Sequence, residues 1–120
     1  MSEIIYLTDV AVITCVVDKN RSEAVLLAAR DVGARAGLVH TVQSWGARER
    51  LGALGVAVET EKDVISFLVS SDQQELVFEA IYQVAELDLP GRGYMFITPV
   101  DRAATYVPEA VREYVQARKE

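Results

Sequence analysis

A chain of 120 residues, of which 51% are hydrophobic, has the size of one domain that buries its own core. The formal net charge of -6 excludes a surface built for nucleic-acid backbones, because such surfaces need clustered lysine and arginine. One cysteine and one histidine exclude an intrachain disulfide and a metal site rich in these two ligands.

The first predicted unit is a strand followed by a helix. The apolar run from Val10 to Val17 is typical of a buried strand, and we expect its Cys15 to be a buried, unreactive thiol. Asn20 or Ser22 begins the next helix, and Gly33 ends it as a C-terminal cap. The small or apolar face of this helix comprises Ala24, Val25, Ala28, Ala29 and Val32.

Two further strands are separated by a long segment. From Ala36 the sequence alternates, with Leu38, His40 and Val42 on one side of a strand. A second strand, rich in β-branched and aromatic residues, spans Asp63 to Ser70. The segment 44–62 is far longer than the two to five residues of an ordinary hairpin loop, so we expect it to be functional or disordered.

The second half of the chain repeats the helix and strand pattern. Ser71 and Gln74 have the spacing of a capping box before a second helix. The apolar face of that helix comprises Leu76, Val77, Ala80, Ile81, Val84 and Ala85. "GYMFITPV", residues 93–100, predicts a fourth strand, and residues 106–120 predict a C-terminal helix with Pro108 in its first turn.

The element order β-α-β-β-α-β predicts an α+β fold, the ferredoxin-like sandwich, with a C-terminal helix added. In this arrangement two helices cover one face of a four-stranded antiparallel sheet. The other face would expose strands rich in valine and isoleucine, so we predict an oligomer that buries it.

Few residues offer catalytic chemistry. We interpret His40, in an apolar strand, as a core or interface residue. Asp18, Asp63 and Asp72 lie near strand ends, but their spacing does not require them to converge, so we predict no catalytic residue and no enzyme. The RNA-platform use of this fold is rejected because "DVISFLVS" has one aromatic residue and no positive charge.

The stretch "PGRGYMFITPV", residues 90–100, leaves two interpretations open. Gly91 and Gly93 form either a turn that relieves backbone strain after a helix or a cradle for phosphate oxygens. In the second interpretation Arg92 adds positive charge to the cradle.

Together, "DVGARAGLVHTVQSWG", the long loop, "EKDVISFLVSSDQQELVFEAI" and "LPGRGYMFITPVDRA" resemble the PII family of trimeric signalling proteins. The resemblance covers about Val12 to Arg102 and implies one PII-like domain over residues 1–120 that forms a homotrimer. It also implies that an adenine nucleotide binds between subunits as an effector, and not as a tightly bound cofactor. The segment 44–62 would be the mobile T-loop, which contacts a protein target such as a membrane transporter.

The resemblance also implies a nucleotide site, residue by residue. Ser44, Trp45 and Gly46 would border the nucleotide at the loop base, and Val16 and Leu38 would flank its base or ribose. Lys62 would match the lysine just before the third strand, and the glycine turn of Gly91, Arg92 and Gly93 would hold the phosphates through backbone N–H groups. The complete expected site is Val16, Leu38, Ser44, Trp45, Gly46, Arg48, Lys62, Gly91, Arg92, Gly93 and Tyr94.

The sequence differs from the PII family pattern at the part of this site that would bind phosphates. Tyr94 replaces a lysine of typical members, and the C-terminal pair of arginines is absent from "AATYVPEAVREYV". Each lost cation removes about 1.5 to 3 kcal/mol, which favours AMP, ADP or cyclic AMP over ATP. Arg48 and Arg50 are either partial replacements or ordinary solvated loop residues. The loop has no tyrosine, so uridylylation of such a residue is impossible.

We expect a cytoplasmic protein, because "MSEIIYLTDV" lacks a basic region followed by a long apolar stretch. The resemblance implies that the protein regulates a partner such as an inorganic-carbon or nitrogen transporter, with bicarbonate among the possible effectors. The sequence has no apolar run near the roughly 18 residues of a membrane span, so we do not expect membrane insertion. A trimeric scaffold or divalent-metal-handling protein like the CutA family shares the fold and is the alternative, although soft metal ligands are scarce.

Overall fold

The computed structural model of the protein describes residues 3–34, 37–43 and 61–110. Its strands are β1 (Tyr6–Leu7), β2 (Val10–Asp18), β3 (Gly37–Gln43), β4 (Glu61–Ser70), β5 (Gly93–Val100) and β6 (Ala103–Ala104). Its helices are α1 (Ser22–Asp31) and α2 (Gln74–Val84). The main sheet has the strand order β3-β4-β2-β5 with every neighbouring pair antiparallel. This is the predicted ferredoxin-like arrangement.

The core lies between the sheet and the two helices. Alternate residues of β2 and β4 point toward the helices because strand side chains alternate between faces. They pack against the buried sides of α1 and α2 in one cluster, whose largest members are Phe67, Ile13, Ile65, Ile81, Val17, Val25, Val77 and Cys15. Both described helices lie on this face, and no described helix covers the opposite face of the sheet.

Both helices end in the same hydrogen-bonded motif. After α1, Gly33 N–H donates to the carbonyl of Arg30 (3.1 Å) and Ala34 N–H donates to that of Ala29 (2.9 Å). Gly33 has a φ of +110°, as predicted for its cap. After α2, Glu86 N–H donates to the carbonyl of Gln83 (3.2 Å), and Glu86 has a φ of +54°. A glutamate therefore stands where α1 has glycine.

Helix α1 begins at Ser22, one of its two predicted starts, whereas the start of α2 differs from the prediction. Helix α2 begins at Gln74 and its N-cap is Gln73, so Ser71 and Gln74 do not form a capping box. Instead Ser70 Oγ donates to Asp72 Oδ1 (2.6 Å), a local bond that holds residues 71–73 in a turn. The predicted apolar faces were also too wide, because Ala24 and Leu76 are exposed.

A second, two-stranded sheet forms from the short strands β1 and β6 and was not predicted. Strands β1 and β6 pair as Tyr6 with Ala104 and Leu7 with Ala103, and the Arg102 guanidinium lies 4.7 Å from the Tyr6 ring centre. Strands of two residues give no alternation that a sequence could reveal. Of the predicted helix 106–120, residues 106–108 are not helical, Glu109 and Ala110 are, and the rest lies outside the described residues. Neither described helix has the length and apolar character that crossing a membrane requires.

Cys15 is predicted to resist thiol reagents in the folded protein. Its side chain is fully buried, and this burial raises the pKa of the thiol to about 11. Because the thiolate is the reactive form, labelling by a disulfide reagent at pH 8 is expected to be at least about 100-fold slower than in urea-unfolded protein. Rapid stoichiometric labelling without denaturant would contradict the buried position.

Candidate functional site

Four of the predicted site residues meet at one end of the main sheet. Across β2 and β5, Val16 pairs with Tyr94 and Val17 pairs with Gly93. Across β2 and β4, Asp18 pairs with Lys62. Strand β2 therefore brings Lys62 to within two strand spacings of the glycine turn, although the two are about 30 residues apart in sequence.

The side chains of Val16, Lys62 and Tyr94 lie on the face of the sheet opposite the helices. Their neighbours in each strand, such as Val17 and Asp63, are buried on the helix side. We call this helix-free side the open face. Tyr94 is 61% exposed there and stacks on Phe96, with ring centres 6.4 Å apart and an interplanar angle of 17°.

Leu38 also lies on the open face but at the other edge of the sheet. It pairs with Ser66 of β4, and its side chain is 75% exposed. Strands β4 and β2 separate its strand from β5, which corresponds to about 14 Å at the usual strand spacing. A single chain therefore does not bring Leu38 to the glycine turn.

Two ion pairs join the end of β2 to the start of β4. Lys62 Nζ donates to Asp18 Oδ1, and Lys19 Nζ donates to Glu61 Oε2 (2.7 Å). The hydrogen bond to Glu61 raises the pKa of Lys19. The Lys62 side chain is 17% exposed and thus retains some access to solvent. A phosphate that binds Lys62 must share it with Asp18 or displace that carboxylate.

Arg92 is engaged on the opposite side of the sheet. Its Nη2 lies 3.7 Å from Glu86 Oε2, and Glu86 Oε1 lies 3.8 Å from Arg21 Nη2. Arg21 also donates to the carbonyl of Val84 (3.3 Å), the last residue of α2. Because Glu86 follows α2 and Arg21 precedes α1, Arg92 is directed toward the helix layer. Lys62 is therefore paired on the open face, whereas Arg92 is paired with a residue that follows the end of α2.

Gly93 is required by the pairing of the strands. A Cβ at this position would lie 2.0 Å from the Val16 carbonyl oxygen, and the residue has a φ of +134°. Val16 approaches the Gly93 backbone so closely that no side chain fits. The turn interpretation fits Gly91, which lies in the turn with a φ of +78°, whereas Gly93 already belongs to β5. The phosphate cradle stays a prediction for both glycines.

The remaining predicted site residues belong to the long segment between β3 and β4. Ser44, Trp45, Gly46 and Arg48 lie outside the described residues, as does Arg50, which was considered only as a partial replacement for the lost cations. The predicted segment 44–62 was two residues too long, because Glu61 and Lys62 pair with Gln43 and Val42 as part of β4.

The residues weighed for catalysis are dispersed. Asp18 lies on the open face, whereas Asp63 is buried on the helix side and accepts a hydrogen bond from Thr41 Oγ1 (2.8 Å). Asp72 follows the far end of β4. His40 is exposed on the edge strand β3, so the interpretation as a core residue was wrong and the interface interpretation stays a prediction. Within the described ranges, no group of three or more His, Cys, Asp or Glu could hold a metal ion.

Sequence reasoning missed two carboxylates that control the charge of this region. Asp18 was considered only as a catalytic group, and its pairing with Lys62 depends on strand register. Glu86 was not considered at all. Its one sequence signal is a charged residue directly after a helix, in "VAELDLPG", where glycine or asparagine is common.

The fold resembles that of PII from Arabidopsis thaliana, in a crystal structure of that protein bound to citrate. The TM-score is 0.63 with 22% sequence identity, and the match covers 78% of this chain and 79% of that one. At this identity the likeness establishes the fold alone. No protein-family model matches the sequence, and no curated protein matches it.

Proposed function

We propose that the protein is a PII-like regulator: a cytoplasmic homotrimer that binds an adenine nucleotide at the clefts between its subunits. The observation that carries this proposal is the convergence of Val16, Lys62, Gly93 and Tyr94 at one end of the open face, within a PII-like fold. This convergence provides a cation, a backbone turn and apolar surface at one place. These three features suit a phosphorylated nucleoside, whose base is apolar and whose phosphates accept charge-assisted hydrogen bonds.

The open face supports the trimeric part of the proposal. Large apolar side chains stand exposed on it, including Leu38, Leu68, Tyr94 and Phe96. Several large apolar side chains exposed on one face of a sheet indicate a surface that a partner covers. A second subunit would also supply what one chain lacks, because Leu38 and the glycine turn lie at opposite edges of the sheet.

The charge of the site favours ligands with few phosphates. Tyr94 brings no charge, and the charges of Lys62 and Arg92 are compensated by Asp18 and Glu86. Each added phosphate must therefore compete with a carboxylate of the protein itself. We accordingly propose AMP, ADP or cyclic AMP as better effectors than ATP.

The long segment between β3 and β4 would transmit the signal. Its two ends, Gln43 and Glu61, are paired with each other at the same end of the sheet as Lys62. A nucleotide at Lys62 would alter the ion pairs at the base of this segment and shift its conformational population. The proposed target is a partner protein such as a transporter for inorganic carbon or nitrogen. PII from Arabidopsis thaliana is known with citrate, a small organic acid.

Titration calorimetry with AMP, ADP, ATP and cyclic AMP, each with and without bicarbonate, tests the proposal. We expect heat of binding with one site per subunit and tighter binding of AMP or ADP than of ATP. Absence of binding by all four nucleotides in both conditions would remove the nucleotide-sensor function.

Replacing Lys62 with alanine is expected to weaken nucleotide binding by about 10- to 100-fold, because a charge-assisted contact is lost. Lys19→Ala is the matched control, since Lys19 forms the neighbouring ion pair with Glu61. Calorimetry on both variants checks the effect. Equal loss of affinity in the two variants would mean that only the net charge of the sheet end matters.

A further inference from the structure

Glu86 occupies a backbone position that commonly belongs to glycine. It follows the C-cap of α2 with a φ of +54° and makes the same type of hydrogen bond that Gly33 makes after α1. A side chain in this left-handed region is strained, because its Cβ approaches the following carbonyl oxygen. Strain of this kind persists only where the surrounding structure fixes the conformation of the residue.

The carboxylate of Glu86 lies between two guanidinium groups. One oxygen is 3.8 Å from Arg21 Nη2 and the other is 3.7 Å from Arg92 Nη2. One side chain thereby links the end of α2, the start of α1 and the glycine turn. Both distances exceed those of ordinary hydrogen bonds, and the Glu86 and Arg92 side chains are partly exposed. A competing anion can therefore reach Arg92.

We propose that Glu86 is an internal counter-ion that holds Arg92 on the helix side of the glycine turn and so limits the number of phosphates the turn accepts. The inference rests on the proposed function, and Glu86 acts in it as a positioning residue. While Glu86 holds Arg92, the turn offers a ligand its backbone N–H groups and the neutral Tyr94. A polyphosphate gains Arg92 only by breaking the pair with Glu86.

The preference between ATP and AMP should therefore change when Glu86 is replaced. In Glu86→Gln the carboxylate is gone and Arg92 is free to meet a phosphate. The affinity for ATP is expected to rise about tenfold, whereas the affinity for AMP changes by less than about twofold, because AMP has no distal phosphate to reach the arginine. Calorimetry with both nucleotides gives the ratio directly.

Two comparisons separate this effect from a change in net charge. Glu79→Gln removes the same charge from an exposed position of α2 and should leave the ratio of ATP to AMP affinity unchanged. In an Arg92→Gln background, adding Glu86→Gln should have no further effect, because the counter-ion acts only through the arginine. A similar gain in ATP affinity with or without Arg92 would overturn the proposal.

A second variant guards against loss of folding. Glu86→Gly removes the carboxylate but also relieves the strained backbone, so its thermal midpoint should be no lower than that of Glu86→Gln. It should show the same shift toward ATP. If Glu86→Gly is folded and keeps the wild-type nucleotide preference, the inference is wrong.

Inorganic pyrophosphate distinguishes failure of this inference from failure of the proposed function. Its binding is followed through the amide resonances of Gly91 and Gly93, with the wild-type protein and Glu86→Gln compared. We expect the resonances to shift at a pyrophosphate concentration at least about fivefold lower in the variant. If no nucleotide binds but this difference appears, the proposed function fails and the role of Glu86 stands. Equal midpoints, or no shift in either protein, overturn the role of Glu86.

Discussion

Replacing Gly93 with alanine is expected to lower the free energy of unfolding by about 3 to 5 kcal/mol. The new Cβ would lie 2.0 Å from the Val16 carbonyl oxygen, a backbone atom that cannot rotate away. The φ of +134° adds strain of its own. Relief requires that β5 move away from β2, which also disturbs the pairing of Val17 with Gly93. Urea unfolding monitored by circular dichroism measures the loss.

Gly33→Ala provides the matched control for this result. Gly33 has a similar φ of +110°, but a Cβ there would meet only the flexible Gln73 side chain, at 3.4 Å. This variant should lose only about 1 to 2 kcal/mol, the cost of the backbone conformation. If both variants lose the same amount, the close approach of Val16 does not determine the need for glycine at position 93.

Replacing Leu68 with aspartate is expected to convert the proposed trimer into folded monomers. Leu68 lies on β4, inside the sheet, and its side chain is 49% exposed on the open face. A charge there is solvated in the monomer but would be buried without a partner in the assembly. Because three copies enter each trimer, the dissociation constant should rise by at least about 100-fold. Sedimentation velocity over a range of protein concentrations checks the change of mass.

Leu76→Asp is the control for this experiment. Leu76 is 56% exposed on α2, and this helix packs on the other face of the sheet. The variant has the same change of charge and should retain the wild-type mass. A wild-type protein that sediments as a monomer at all concentrations would remove the trimer from the proposed function, whatever the variants do.

Two residues of the glycine turn, Arg92 and Gly93, are explained by contacts within the fold. Gly93 is needed by the approach of β2, and Arg92 is engaged by Glu86 on the helix side. The sequence of the glycine turn is therefore weak support for phosphate binding, because the fold already accounts for these residues. The stronger support is the position of Lys62 beside it, which follows from the pairing of β2 with both β4 and β5.

The sequence predicted the fold well where burial creates a pattern. The continuous apolar run of β2, the helical spacing around Val77 and Ile81, and the cap at Gly33 were all confirmed. Prediction failed where local polar groups competed, as in the turn before α2, and where strands were too short to alternate, as in β1 and β6. The exposure of His40 also escaped prediction, since several of its neighbours in sequence are apolar although its strand lies at the edge of the sheet.

By itself, the sequence determined the order of the main-sheet strands and the two helices, and the helix side of the core; the nucleotide-site residues stay a prediction from the PII resemblance. Only the tertiary structure decided which charges meet: Lys62 with Asp18, and Arg92 with Glu86. The physical reason is the distance along the sequence between the interacting residues. Hydrophobic periodicity is visible in consecutive residues, whereas the partner of a charge depends on strand register and on how a helix end lies against a turn. At this sheet end, those long-range pairings determine how much positive charge remains for a ligand.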